Sequence, residues 1–151
     1  MYGEVTAKAL TDKQATRTEV LDELDWIQTM TTHDDVAAIF LAGHGENDRS
    51  GQNYYFLTYD AKGDNVFATG VSASQIKEIV ASTRGIKLLF IDTCHSGNVA
   101  RGGIDINGFV NELHESHAWV FAATTGSSTP PGASRSCSAS ASVATSICIA
   151  C

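Results

Sequence analysis

Basic charge is scarce in this chain. Ten Lys and Arg face seventeen Asp and Glu, a formal net charge of −7 over 151 residues. With no basic patch to neutralise phosphates, the charge argues against a nucleic-acid partner. Long apolar runs are missing as well: none approaches the roughly 18 residues of a membrane span. The first residues, MYGEVTAKAL, lack the charged start and apolar middle of a signal peptide. A cytoplasmic protein with no membrane partner is expected. Cysteine is sparse, and three of the four (Cys137, Cys148, Cys151) crowd the end of the chain. In a cytoplasmic chain these are not a disulfide framework for export. No G-x-x-x-x-G-K-[ST] stretch offers a phosphate cradle, and no repeat of 20–50 residues is visible.

What remains is ordinary globular composition, 43% hydrophobic and 18% charged. A domain of this length buries about 68–70% of its unfolded surface, enough for a real core. Residues 4–10 alternate weakly, as a short edge strand does. Thr16-Arg17-Thr18-Glu19 fits a capping box. Val20, Leu24, Ile27 and Met30 follow at helical spacing, so a helix is expected over 16–30. Val36 to Leu41 (VAAIFL) is a continuous apolar run, as in a parallel strand covered on both faces. Residues 43–53 (GHGENDRSGQN) read as a polar surface loop. Tyr54 to Leu57 reads as a short strand or hairpin arm. Ser72 caps a second helix carrying Ile76, Ile79 and Val80, and Gly85 ends it. Lys87 to Ile91 is the next strand. Asp105 or Asn107 caps a third helix with Phe109, Val110 and Leu113, and Trp119 to Ala123 is the third apolar strand.

Strand, helix, strand, helix, strand in that order is the signature of βαβ crossovers. It predicts an α/β, three-layer fold: a mostly parallel sheet with helices on both faces. Ligands of such sheets bind outside the carboxyl ends of the strands. His44 follows one strand and Cys94 follows another, so adjacent strands bring the two to one rim. A thiol with an ordinary pKa of about 8.5 is a weak nucleophile at neutral pH unless a neighbouring imidazole takes its proton. Gly43 and Gly45 are expected to let the backbone turn tightly around His44, and Gly97 to do so after Cys94. Backbone N–H groups in such turns point at a developing oxyanion. Taken singly, a cysteine after a strand is usually a small buried hydrophobe, a histidine in a glycine-rich loop is solvated, and Asp92 is an exposed acid ending a strand. Together at one sheet edge they point to nucleophile and base.

His44-Gly45 after an apolar strand, then Asp92-Thr93-Cys94-His95-Ser96-Gly97 after another, resembles the caspase-like cysteine peptidases, the metacaspase and bacterial branch above all. A caspase histidine lies about 50 residues upstream of its cysteine, and His44 precedes Cys94 by that distance. Leu10-Thr11-Asp12, Tyr54 to Leu57 and Asp105 to Phe109 add support. The resemblance implies peptide-bond hydrolysis with Cys94 as nucleophile and His44 as acid/base. The backbone N–H groups of Gly45 and Cys94 would form the oxyanion hole. Asp92 would line a pocket for a basic residue, favouring cleavage after Arg or Lys over Asp. Ala42 stands where many metacaspases carry a pocket serine, which weakens that preference. His95 is assigned no catalytic role. The implied partner is a protein or peptide substrate, with room for fused domains in a longer protein. No cofactor is implied. Calcium occurs in some relatives, but Asp48, Asp60 and Asp64 match no calcium loop and read as solvated acids.

The resemblance covers about residues 2–125. It implies an incomplete fold that lacks the family's central first strand and its last helix and strand, and so is marginally stable. A partial catalytic domain over 1–126 is expected. The Ser/Ala/Cys-rich tail over 127–151 reads as disordered or frameshifted. Two other functions compete: a catalytically defective interaction module, and a metal-binding hydrolase using His114, His117 and the tail cysteines. The spacing of the latter fits no standard zinc pattern.

Overall fold

The computed structural model describes residues 5–50, 53–95, 113, 116–123 and 146–150. Among these, seven strands form one sheet: β1 (Ala7–Thr11), β2 (Val36–Asn47), β3 (Tyr54–Leu57), β4 (Val71–Ser72), β5 (Ile86–His95), β6 (Ala118–Ala123) and β7 (Ser146–Ala150). Three helices accompany them: α1 (Arg17–Met30), α2 (Val66–Thr69) and α3 (Ala73–Ser82). The α/β class is as expected, but the sheet is mixed. Parallel pairing is confined to β2, β5 and β6, while β1, β7, β3 and β4 pair antiparallel. A short connection after β2 forces the reversal: β3 returns along it as a hairpin arm, because parallel neighbours need a long crossover.

One face of the sheet holds the core. Ala37, Ile39 and Leu41 of β2 and Leu89 and Ile91 of β5 are buried there at alternate positions. Val20, Leu24 and Ile27 of α1, Ile76 and Val80 of α3, and Leu113 pack against them. Met30, expected on the inner face of α1, is instead 54% exposed. Its place at the end is taken by Thr31, fully buried, whose N–H and hydroxyl both donate to the Ile27 carbonyl. Thr83 closes α3 on Ile79 in the same way. Both starts are capped: at Thr16 the structure shows one half of the expected box, Thr16 Oγ1 accepting from Glu19 N, whereas Ser72 with Gln75 forms a full capping box. Gln75 lies three residues after the cap, the position that a capping box requires. The third expected helix lies outside the described residues, apart from Leu113.

On the opposite face Phe40, Phe90 and Phe121 form a row across β2, β5 and β6. Phe90 and Phe121 stack at 4.9 Å. Trp119 and Ile86 lie on that face too, exposed. Among the described residues no helix covers it.

The register of β2 on β5 is set at the bottom of the sheet. Ile86 N, at the first residue of β5, donates to the carbonyl of Asp35, the residue before β2, at 3.0 Å. The Asp35 carboxylate accepts from Thr32 N and Thr32 Oγ1, and these bonds hold it below the usual carboxylate range. Gly85 lies against this turn at φ +68°, where a Cβ would stand 2.4 Å from the Asp35 carbonyl oxygen. Gly85→Ala is expected to lower stability by at least about 1–3 kcal/mol from the left-handed backbone alone, read as a shifted urea midpoint. An unshifted midpoint would show that this turn does not hold the register.

The tail residues Ser146–Ala150 form β7, antiparallel between β1 and β2. Residues 127–145 and 151 lie outside the described residues.

Candidate active site

β2 and β5 pair without a break from Val36↔Ile86 to Gly45↔His95. The register set at Asp35 is therefore delivered intact at the rim, where His44 and Cys94 are direct partners. Adjacent strands lie about 4.8 Å apart, and in-register residues share a face. By strand alternation, backbone positions 44 and 94 fall in line with positions 40 and 90, and out of line with the core positions 39, 41, 89 and 91. The expected meeting of the two positions at the carboxyl end of neighbouring strands is what the backbone shows. Its local form differs from expectation. His44 is not in a loop: β2 runs on to Asn47, supported by β3 through His44↔Leu57, Gly45↔Phe56, Glu46↔Tyr55 and Asn47↔Tyr54.

His44 is half-buried, and its Nδ1 is buried with no hydrogen-bond partner among the described residues. A buried polar atom without a partner costs about 1–3 kcal/mol, so this nitrogen is poised for one. Asp92, two residues before Cys94 and on the same face, is exposed. Its neighbours across the sheet are Ala42 and Ala123. Both partners are alanines, and the phenylalanine row lies two positions back along the strands.

Gly45 does not serve a turn. It is flat in β2, and the ring of Tyr54 occupies the space where a side chain would be: a Cβ would stand 1.7 Å from Tyr54 Oη. Tyr54 Oη and Thr93 Oγ1 are 3.0 Å apart in a hydrogen bond across the core face. Both residues are buried, and burial pushes the phenol's pKa up. Neither residue is singled out by the sequence, where Tyr54 opens a short strand or hairpin arm and Thr93 stands between Asp92 and Cys94 in the motif. His95, next to Cys94, is the backbone partner of Gly45. Ser96 and Gly97 lie outside the described residues.

Of the acids weighed for calcium, Asp48 and Asp60 accept hydrogen bonds through their carboxylates and Asp64 through its backbone carbonyl. Asp48 accepts from Ser50 Oγ and Asn53 Nδ2. Asp60 Oδ1 accepts from Arg17 N at the start of α1 and from Thr58 Oγ1. The carbonyl of Asp64 accepts from Arg49. Among the described residues no group of three His, Cys, Asp or Glu stands close enough to hold a metal ion. His117 is exposed in the turn before β6; His114 and Cys137 lie outside the described residues. Cys148 is a backbone partner of Phe40 and Ala9 in the sheet.

A family model described as caspase domain matches residues 4–149. The chain belongs to the caspase-domain family. The match runs from before β1 through β7, so it takes in both the His44/Cys94 rim and the Ser/Ala/Cys-rich tail. Caspase-domain membership carries a cysteine-peptidase-like kind of function with it. No curated protein and no solved structure matches the chain. Among the described residues no helix is long and apolar enough to cross a membrane.

Proposed function

We propose that this caspase domain is a cysteine endopeptidase in which Cys94 is the nucleophile and His44 the acid/base. The supporting observation is the register: His44 and Cys94 are direct partners on one face at the carboxyl rim of two parallel strands. In this reading the imidazole takes the thiol proton, and the thiolate attacks the scissile carbonyl carbon. The family resemblance assigns the oxyanion of the tetrahedral intermediate to the backbone N–H groups of Gly45 and Cys94; Gly45 lies in the ladder between Phe56 and His95, so its N–H has to turn out of the ladder to serve. His44 then gives its proton to the leaving amine as the C–N bond breaks, leaving a thioester on Cys94. A water, deprotonated by His44, attacks the thioester and returns the free thiol.

Asp92 is assigned the residue before the scissile bond. Its exposed carboxylate, with Ala42 and Ala123 beside it and the phenylalanine row below, suits a cationic head on an aliphatic stem. A charge pair at 4 Å contributes about 1 kcal/mol in water and about 4 kcal/mol at an effective dielectric of 20. Substrate covering the site moves the pair from the first value toward the second. Ala42 offers no hydroxyl to help.

The test is hydrolysis of two fluorogenic peptides, one ending in Arg and one in Asp, by this chain and by Cys94→Ala. Arg-selective turnover that vanishes in Cys94→Ala is expected. Asp-selective turnover would reject the role of Asp92 while keeping the mechanism. Absence of turnover by the folded chain would favour the competing reading, a caspase-like interaction module. The exposed Phe40, Trp119 and Phe121 are the observation on its side.

A further inference from the structure

The face of the sheet opposite His44 and Cys94 carries a second device at the same height. Tyr54 is the first residue of β3, directly across from Asn47 of β2. Its side chain runs diagonally back over β2. The ring fills the space above Gly45, and the hydroxyl reaches Thr93 on β5 at 3.0 Å. Gly45 follows His44, and Thr93 precedes Cys94. One side chain thus spans three strands and touches a chain neighbour of each member of the pair.

We propose that Tyr54 is a positioning residue for His44 and Cys94: from the core face it clamps Gly45 by ring contact and Thr93 by its hydroxyl, fixing the two strand ends that carry the pair. This rests on the reading of His44 and Cys94 as base and nucleophile. Two observations separate the clamp from a hydrogen bond that merely adds stability. First, the core beneath it is built from aliphatic side chains and Phe56, so a phenol bonded to a threonine appears at the rim, where geometry matters. Second, glycine at position 45 leaves no Cβ between ring and backbone, so ring movement is transmitted to the strand directly. Burial keeps the phenol protonated, so the bond persists across the pH range in which the thiol titrates. Displacements on the scale of 1 Å at a reacting pair cost up to about a hundredfold in rate.

Tyr54→Phe keeps the ring over Gly45 and deletes the hydroxyl, and Thr93→Val deletes the other half of the bond at nearly constant shape. The whole chain is used, with two readouts. The first is the pH profile of iodoacetamide alkylation at Cys94, with adducts quantified by peptide mass so that Cys137, Cys148 and Cys151 do not contribute. The second is kcat and KM on the Arg-ending peptide. Loss of one hydrogen bond is expected to reduce kcat about tenfold, with KM held within about twofold. The alkylation midpoint of both variants is expected to move up toward the free-thiol value of about 8.5. Thr93→Ser, which keeps a hydroxyl, is expected to restore both readouts. A lowered melting temperature with unchanged kcat and unchanged alkylation profile would overturn the proposal. If Tyr54→Phe does not fold, the Thr93→Val and Thr93→Ser comparison decides. The two readings fail separately. A wild-type chain without turnover, whose Cys94 profile is still depressed and still moves in Tyr54→Phe, sinks the peptidase and keeps the clamp. A wild-type Cys94 that titrates as a free thiol sinks both.

Discussion

Gly45→Ala is expected to lose about 3–5 kcal/mol of stability, the range of a large aromatic lost from a core. The added Cβ would stand 1.7 Å from Tyr54 Oη and 2.1 Å from its Cζ, closer than any real contact. The backbone of Gly45 is held between β3 and β5 by pairs with Phe56 and His95, so the ring must yield. Expelling it uncovers a side chain that is now 4% exposed and leaves the Thr93 hydroxyl without its bond. An ordinary glycine-to-alanine change in a strand would go the other way, because alanine costs less backbone entropy. The sign therefore tests the packing. A cycle with Tyr54→Ala sharpens it: removing the ring makes room for the new Cβ, so the double variant is expected to be markedly more stable than the sum of the two losses predicts. Urea unfolding of the four proteins measures this. A Gly45→Ala chain as stable as wild type would contradict the packing described at the rim.

Removal of β7 by ending the chain at residue 145 is expected to release β1. Among the described residues β1 pairs with β7 and with no other strand, through five residue pairs from Ala7↔Ala150 to Thr11↔Ser146. Beyond that ladder, β1 is tied to the body by Leu10, partly buried against the core, and by Lys8. Lys8 meets Glu23 at 2.7 Å, with a third of the lysine exposed, and lies 4.3 Å above the ring of Trp26. Partly exposed ion pairs contribute about 0–1 kcal/mol, and an exposed cation over an aromatic ring about 0.5–1 kcal/mol. Against them stands about 1–2 kcal/mol per residue for ordering five residues of backbone. The balance turns against β1 once its ladder is gone. Amide exchange over Ala7–Thr11 is expected to fall to the unprotected end of the range, while α1, α3 and the β2–β5 ladder stay protected. The same deletion bares the edge of β2 at Ala38–Ala42, where β7 now pairs. Bare edges recruit other strands, so association that grows with concentration is expected as well. Unchanged protection of β1 after the deletion would show that β7 does not carry it.

The parts of this fold legible in the sequence are those whose signal is local. The apolar run from Val36 to Leu41, the helical spacing of Val20, Leu24 and Ile27, and the caps at Thr16 and Ser72 each lie within a few residues, and each became the expected element. The pairing of positions 44 and 94 was legible because two apolar runs lead into a histidine and a cysteine, and element order makes the strands neighbours. The continuation of β2 through His44 was hidden because Gly43-His44-Gly45-Glu46-Asn47 has the composition of a loop. What makes it a strand is the ladder with β3 and β5, which is long-range. The reason for Gly45 was hidden in the same way. The sequence offers a turn as the common explanation of a glycine, whereas the actual one is the Tyr54 ring arriving from another strand. β7 was illegible for a related reason. Five residues of a Ser- and Ala-rich tail show too short an alternation to register, and its partners lie more than a hundred positions away. Antiparallel pairing around β1, β3 and β4 followed from loop lengths and strand insertion, which βαβ order does not reveal.

The central claim is that Cys94 is a nucleophile activated by His44 in a site that takes a basic side chain. The most direct measurement is covalent labelling of the folded chain with a thiol-reactive peptide ending in Arg, with the adduct located by peptide mass, in wild type and His44→Ala. The account predicts one adduct, on Cys94, formed faster than with the Asp-ending reagent and slowed by roughly a hundredfold or more in His44→Ala, as expected for loss of general-base activation. Labelling spread over Cys137, Cys148 and Cys151, or a Cys94 rate indifferent to His44, would contradict it.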